Sequence, residues 1–519
     1  MRQVLKERTM TENQVFTHIA NTAKALNTQV FVVGGYVRDG YMKKVFGEEE
    51  STEENIEKSK IQTAIEKDII DGGEEIKEVV KKKTDIDFVV LGSGLEFAKA
   101  FDTEVEECGS LVEFEDFDTA RYVMEDIEIE FAGARAEEYE KGSRKPEVKP
   151  ATLEEDLSRR DFTVNAIAQE VQEGGQLGDM VDPYDGKKDI EQRILKTPLD
   201  PDQTFNEDPL RMLRAARFAA QLNFTLEEKT KESLLKNRKR LGIVSKERVQ
   251  EEFFKLLASK KPSIGFMILF EEKLFEEFLP EVPALDGVEE VYGHNHKNNL
   301  YHTFRVVDNI SERTHKILLR YAALMHDIGK PGTKEFIKGR GWAFDMHEHL
   351  GRKIVRTVGK RLRMSKDATE YVANLVRWHQ QPIQLMDTGV TDSAVRRLVV
   401  NLGNDIDDLL RLCRSDITTG NPKKLQKRLK NYDVLEERIL HVIEKDKLRA
   451  FQSPVRGEEI MEVCNLKPGP TVGKIKEAIE EAILDGKIRN KYEEAKEYFL
   501  SIKDTYLKEV VDWEKEKTI

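Results

Sequence analysis

Gly34-Gly35-Tyr36-Val37-Arg38-Asp39 and, after a charged interval, Thr84-Asp85-Ile86-Asp87-Phe88-Val89-Val90 are the stretches on which the fold turns. The apolar run from Val30 to Val33 leads into the two glycines, and a second run from Ile86 to Leu91 closes on Gly92-Ser93-Gly94. Both read as short buried strands. Residues two apart in a strand share a face, so Asp85 and Asp87 project together while Ile86 and Phe88 face the other way. Two carboxylates on one face suit a pair of Mg2+ ions, which activate an attacking hydroxyl and stabilise a leaving pyrophosphate. A glycine pair at a strand end lets the backbone approach phosphate oxygens. Taken singly, an Asp-x-Asp equally suits a strand exit or a surface pair, and Gly-Gly is weak evidence.

Outward from these stretches, an amphipathic helix precedes the first strand, and further strands are expected at 111–114, 120–124 and 127–131. The interval 48–83 carries 12 acidic and 7 basic residues, and its low apolar content predicts an excursion without a core. From about Pro150 the pattern is helical, with apolar residues at helical spacing from Pro209 to Leu222. Eight of the ten histidines fall between His294 and His379, which marks a separate domain. Beyond Asn421-Pro422 the chain is charged and helical again.

Bulk properties agree. At 519 residues the chain needs several cores. No run of about 18 apolar residues exists, so no membrane span is expected. The N-terminus lacks the apolar region of a secretory signal, and three scattered cysteines fit neither a disulfide framework nor a zinc knuckle. A cytoplasmic setting follows as the expectation. The net charge of -13 offers no global basic footprint, although the runs 236–240 and 423–430 are locally basic. Either run equally suits a solvated helix face.

The later motifs are more specific. Arg159-Arg160-Asp161-Phe162-Thr163-Val164-Asn165-Ala166, Asp182-Pro183-Tyr184-Asp185-Gly186 with Asp189-Ile190, Glu207-Asp208-Pro209-Leu210-Arg211-Met212-Leu213-Arg214 and Ser245-Lys246-Glu247-Arg248-Val249 follow the first motif in order. Together the five resemble the class II tRNA nucleotidyltransferases and the bacterial poly(A) polymerases related to them. The resemblance implies an α+β protein: a nucleotidyltransferase-type mixed-sheet head, then an all-helical neck, an HD domain and a helical body and tail. It implies Asp85, Asp87 and a third carboxylate, Glu130, as catalytic, with Glu128 a competitor on the same face. Gly34, Gly35, Arg38, Asp39, Arg160, Asp161, Asn165 and Arg214 are implied to bind nucleotide, and the third motif to brace head against neck. Asp208 and Arg211, three apart and hence expected as neighbours on one helix, offer an acceptor and a donor, and the resemblance implies that they read the base edge without a template. Asp208 followed by Pro209 is equally the start of a helix. The segment 137–149 corresponds to the family's mobile loop, or to a solvated connection. The family's short spacing between Gly-Gly and Asp-x-Asp is lengthened here by 48–83, at small closure cost.

In the histidine-rich region, His326-Asp327 ends the apolar helix 318–325. With His302 and Asp416 it offers the imidazole and carboxylate ligands of a transition-metal site, and His347 and His379 could complete a second position, with His349 an alternative to His347. This set resembles the HD phosphohydrolase domain, which could equally persist as a packing module. The expected organisation is head 1–150, neck 151–258, connection 259–300, HD domain 301–420 and body and tail 421–519. The expected reaction is addition of CCA from CTP and ATP to the 3′ end of tRNA, with Mg2+ in the head, Ni2+, Mn2+ or Co2+ in the HD site, tRNA held by its 3′ end and acceptor arm, and no membrane partner. Poly(A) synthesis or partial (CC or A) addition shares the motifs. An HD metallohydrolase with an RNA-binding head is the rival from another class.

Overall fold

The computed structural model describes residues 10–47, 84–138, 147–288, 290–291, 294–295, 298–386, 390–446 and 453–508. The interval 48–83 and the tip of 137–149 lie outside the described residues. The chain divides into two compact units, Met1–Val372 and Ala373–Ile519.

The first unit opens with the helix Glu12–Leu26, started by a Thr11/Gln14 capping box and stopped by Asn27 in the left-handed conformation. It leads into β1 (Val30–Val33), the helix Gly35–Phe46 and β2 (Thr84–Val90). Then follow the helix Gly94–Glu104, β3 (Ser110–Phe114), β4 (Thr119–Val123) and β5 (Ile127–Gly133). The strands β6 (Arg135–Glu138) and β7 (Glu147–Pro150) form a separate antiparallel pair, so the ends of the 137–149 segment are a hydrogen-bonded ladder. With β8 (Ala168–Val171) and β9 (Leu177–Val181), the head sheet has seven strands in the order β3-β4-β5-β2-β1-β8-β9. Only β2 and β5 are parallel neighbours; the remaining pairs are antiparallel.

The two faces of the sheet differ by alternation. Ile86, Phe88, Ile129, Phe131 and Tyr122 are buried on one face. Phe131 meets Phe88, Phe97 and Phe101 with ring centroids 5.1–5.6 Å apart, and Phe16 reaches Phe88 at 5.6 Å. Each buried phenyl contributes about 1.5–3 kcal/mol, so this face fixes the register and hence turns the carboxylates to the other.

The purely helical reading beyond Pro150 is corrected here: β8 and β9 return to the sheet beside β1. β8 is only four residues long and its middle two, Gln169 and Glu170, are polar and half-buried. A polar strand of that length gives no period-2 signal, and its place is set by pairing with β1. The helices of the neck follow, among them Pro201–Glu207, Arg211–Leu222 and Lys246–Leu257. Then come Asn299–Ser311, Ile317–Met325 and His347–Arg361. Arg320, fully buried, ties neck to histidine-rich region: its guanidinium donates to the carbonyls of Leu257, Ala258, Ser259, Ser311 and Thr314 at 2.9–3.1 Å.

The second unit is helical. It includes Asp392–Leu402, Ile406–Ser415 and Pro422–Asp446, then Gly457–Cys464, Pro470–Leu484 and Tyr492–Leu507. The last three share a core of Ile460, Ile475, Ile479 and Phe499. The basic run 423–430 lies in the helix Pro422–Asp446, whereas in the run 236–240 Lys236 pairs with Asp202 and Arg240 donates to the Asn206 carbonyl. No described helix is long and apolar enough to cross a membrane.

Candidate active site

Gly34 ends β1 at a φ of +69°, a conformation glycine adopts without strain. A Cβ there would lie 3.3 Å from Arg160 Nη1 and 3.6 Å from Asp87 Oδ2, so the bare backbone is what lets these groups converge. The helix Gly35–Phe46 begins at Gly34 with no side-chain cap, leaving its first amides to face a ligand. Beside it, the parallel register sets Asp85 against Glu128 and Asp87 against Glu130, so four carboxylates share one face. Arg121 on β4 reaches both glutamates, at 3.1 Å to Glu128 and 3.5 Å to Glu130.

This crowding moves proton affinities. Burial, then Asp85 and Glu130, push the Asp87 carboxyl up to about 7. Asp85 is raised by burial, then by Glu128 and Glu130. Glu128 and Glu130 both raise Asp85, and Glu130 raises Asp87 as well. Carboxylates that repel one another in this way suit a divalent cation with oxygen ligands.

One hydrogen-bonded chain links the motifs that follow. Arg38 donates to Asn165 (2.6 Å) and to Asp39 (2.8 Å), Asn165 donates to Asp161 (3.0 Å), and Arg214 grips Asp161 through two nitrogens at 2.8 and 2.5 Å. Burial alone would raise the Asp161 carboxyl, but Arg214 and Asn165 outweigh it and hold it at about 2. The third motif supports the second: Asp189 accepts from Thr163 at 2.6 Å, and Asp182 caps the amides of Gly186 and Lys187.

Asp208 and Arg211 do not share a helix, contrary to the sequence reading. Asp208 is extended at the end of Pro201–Glu207, and the next helix starts at Arg211. One Asp208 oxygen accepts from the Leu210 amide at 3.1 Å and the other meets Arg248 at 3.2 Å. The contact with Leu210 is a turn and not the expected helix cap, because the helix that starts at Arg211 has Leu210 at its N-cap position and no side-chain cap. Arg211 donates to the Arg159 carbonyl at 2.6 Å. A cavity of about 410 Å³ is lined by Gly34, Gly35, Arg38, Asp87, Arg160, Asp161, Asn165, Asp208, Arg211 and Arg214, and also by Arg159, Leu210, Phe218 and Arg248. Asp39, Asp85 and Glu130 stand outside that lining. Phe218 carries the guanidiniums of Arg38, Arg214 and Arg217 at 5.5, 5.3 and 4.1 Å from its ring. Its spacing of seven from Arg211 was the only sequence signal for it.

In the histidine-rich part of the first unit, Asp327 is the hub. His326 Nε2 lies 3.2 Å, His347 Nε2 3.5 Å and His302 Nε2 3.7 Å from its oxygens, and Lys330 Nζ lies at 2.5 Å. The Nδ1 atoms of His326 and His347 each face a carbonyl three residues earlier at 2.7 Å. A carbonyl only accepts, so Nδ1 carries a proton in both rings and Nε2 is the ring atom turned toward Asp327. His349 is more exposed and lies beside Glu348. In the second unit, His379 Nδ1 makes the same contact with Val376. Cys413 donates to the His379 carbonyl at 3.0 Å, on the helix that Asp416 closes.

Comparison with known proteins gives this geometry a context. Residues 76–196 match the poly(A) polymerase head domain, 223–285 the probable RNA- and SrmB-binding site of polymerase A, and 299–445 the HD domain. An A-adding tRNA nucleotidyltransferase of Deinococcus radiodurans is 32% identical over 349 residues, which are 65% of this chain and 77% of that protein. The chain belongs to the tRNA nucleotidyltransferase and poly(A) polymerase family. A multifunctional CCA protein of Paraburkholderia phytofirmans is 36% identical over 46% of this chain and 58% of its own length. The nucleotidyltransferase fold extends to the Bacillus stearothermophilus CCA-adding enzyme, solved in complex with CTP: a TM-score of 0.60 at 19% identity, covering 96% of this chain and 100% of that one. The head match begins at residue 76 and so does not include the Gly34-Gly35 turn, which in this nucleotidyltransferase is joined to Asp87 by the β1–β2 register.

Proposed function

We propose that this protein adds nucleotides without a template to the 3′ end of tRNA, completing CCA from CTP and ATP with loss of pyrophosphate. The observation that carries the reading is the single cavity joining Gly34-Gly35, Asp87, the Asp161–Asn165 segment and the Asp208–Arg211 pair. In this reading the first amides of the helix Gly35–Phe46, with Arg160 and Arg38, orient the triphosphate. Asp208 and Arg211, held by Arg248 and by the Arg159 carbonyl, present an acceptor and a donor to the base edge. Asp85, Asp87 and Glu130 would hold Mg2+, which when bound lowers the barrier by neutralising charge on the attacking and leaving oxygens. Positioning and electrostatics supply the catalysis.

His302, His326, Asp327 and His347 of the first unit offer the imidazole and carboxylate donors of a transition-metal site, with Ni2+, Mn2+ or Co2+ as the ion and a phosphohydrolase activity as the outcome. The division into head 1–150, neck 151–258, connection 259–300, HD domain 301–420 and body and tail 421–519, and a cytoplasmic site of action, belong to the same proposal. A narrower reading, addition of the terminal A alone, is favoured by the A-adding relative that aligns over 65% of this chain.

The test is incubation of the purified protein with three tRNAs, lacking CCA, ending in C and ending in CC, with CTP and ATP separately and together. Extension of all three to CCA is expected. Extension of the CC-ending tRNA alone, with ATP, establishes the narrower reading. Extension of none refutes both.

A further inference from the structure

We propose that the face of the head sheet beyond the carboxylates, from Arg121 to Val112 and Phe114, seats the 3′-terminal nucleotides of the RNA being extended. The proposal rests on the transferase reading above and assigns its second substrate a place.

The sheet register supplies the geometry. Asp87, Glu130, Arg121 and Val112 are successive partners across β2, β5, β4 and β3, so they form one row on one face. The next row on that face, two residues along, is Val89, Ala132, Thr119 and Phe114. The opposite face is the one covered by aromatic packing. Val89 and Thr119 of the second row are buried, and the surface opens toward β3: Val112 is 45% and Phe114 41% exposed, and the Arg121 side chain 45%.

The direction of the reaction selects the occupant. The nucleotide cavity lies on the β1 side of Asp87, among Gly34, Arg38 and Arg160. Displacement at phosphorus runs in line, with the attacking and leaving oxygens on opposite sides. If the pyrophosphate leaves toward Gly34 and Arg160, the attacking hydroxyl arrives from the β5, β4 and β3 side. An RNA end approaching there passes over Arg121 first.

The chemistry of the row matches a single strand. A guanidinium beside an apolar and aromatic shelf is the combination that holds a phosphate and stacks a base. Stacking tolerates any base, which suits an acceptor whose last base changes with every addition. Of the acidic neighbours, Glu128 and Glu130 pair with Arg121 itself at 3.1 and 3.5 Å, and two others are engaged elsewhere. Glu113 belongs to the row facing the other way and pairs with Lys99 at 2.8 Å. Asp118 is taken up by Ser93 and by the amides of Gly94 and Leu95. Lys255 of the neck, paired with Glu251 at 2.7 Å, is a second cation whose charge reaches Asp85.

The experiment is steady-state addition by the full chain carrying Val112→Glu with Phe114→Ala. Both positions are exposed, so an unchanged melting temperature is expected. The KM for tRNA should rise roughly tenfold or more, as loss of one stacked base implies, while the KM for CTP and ATP stays at the wild-type value. Phe114→Trp alone should keep the wild-type KM for tRNA. Separately, a tRNA ending in 4-thiouridine, irradiated in complex with wild-type protein, should label the tryptic peptide that contains Val112 and Phe114. An unchanged KM for tRNA in the double variant, or label only on another segment, overturns the assignment. If the wild type extends no RNA at all, the transferase reading fails, and the labelled peptide still decides whether this face holds an RNA end.

Discussion

Asp87→Asn should stabilise the metal-free protein while removing its transfer activity. The carboxyl stands at about 7 against an ordinary 3.8 because burial, then Asp85 and Glu130, penalise its charge. At roughly 1.4 kcal/mol per pH unit that gap sets an upper limit of about 4 kcal/mol. Asp87 is only partly buried and borders the cavity, where water screens its neighbours, so roughly 1–2 kcal/mol is the working figure. The sign follows from proton uptake. Between pH 4 and 7 the folded metal-free state keeps a proton that the unfolded state has lost, so wild-type stability falls as pH rises through that window and levels off above it. The asparagine variant has no such fall. Thermal unfolding in EDTA should therefore show the two proteins together near pH 4 to 5 and the variant higher by a few degrees at pH 8. Mg2+ should reverse the order, since the wild type alone keeps the full ligand set. A variant that melts at or below wild type at pH 8 in EDTA, or a difference independent of pH, would refute the reasoning.

Three further outcomes are expected. Arg211→Ala should blur the choice between CTP, ATP, GTP and UTP, at about 1–3 kcal/mol for each lost contact; unchanged selectivity together with a lowered melting temperature would leave Arg211 a structural role through its bonds to Arg159, Thr204 and Glu207. Arg320→Met should lower stability by about 3–5 kcal/mol, since five buried carbonyls lose their donor; a melting temperature within a degree of wild type would contradict it. His326→Ala with Asp327→Ala should abolish retention of Ni2+, Mn2+ or Co2+ measured by elemental analysis, and any hydrolysis of phosphomonoesters or 2′,3′-cyclic phosphates, yet leave nucleotide addition close to wild type. Loss of addition in the folded double variant would show the two sites to be coupled.

The strands that carry the carboxylates were legible because each is short, apolar and punctuated by glycine, and because Asp85 and Asp87 break the apolar pattern at a spacing of two. The apolar helix before His326 was legible for the same kind of reason: Ile317–Met325 is buried along its whole length. What escaped was nonlocal. Gln169 and Glu170 hide β8, Arg248 enters the cavity from a motif read only as family company, and Phe218 sits within an alanine-rich helix that reads as core.

The sequence by itself determined which residues are candidates for the chemistry, because metal ligands and phosphate-binding turns depend on residue type and short spacing. It also determined that the two candidate chemistries fall in separate stretches, since eight of the ten histidines lie between His294 and His379. Tertiary structure alone decided which of those residues meet. The parallel pairing of β2 with β5 sets Glu130 opposite Asp87 and lets Arg121 reach both glutamates. The chain from Arg38 through Asn165 and Asp161 to Arg214 spans 177 positions. Strand register and helix docking are fixed by burial of the opposite faces, and no local spacing records where those faces come to rest.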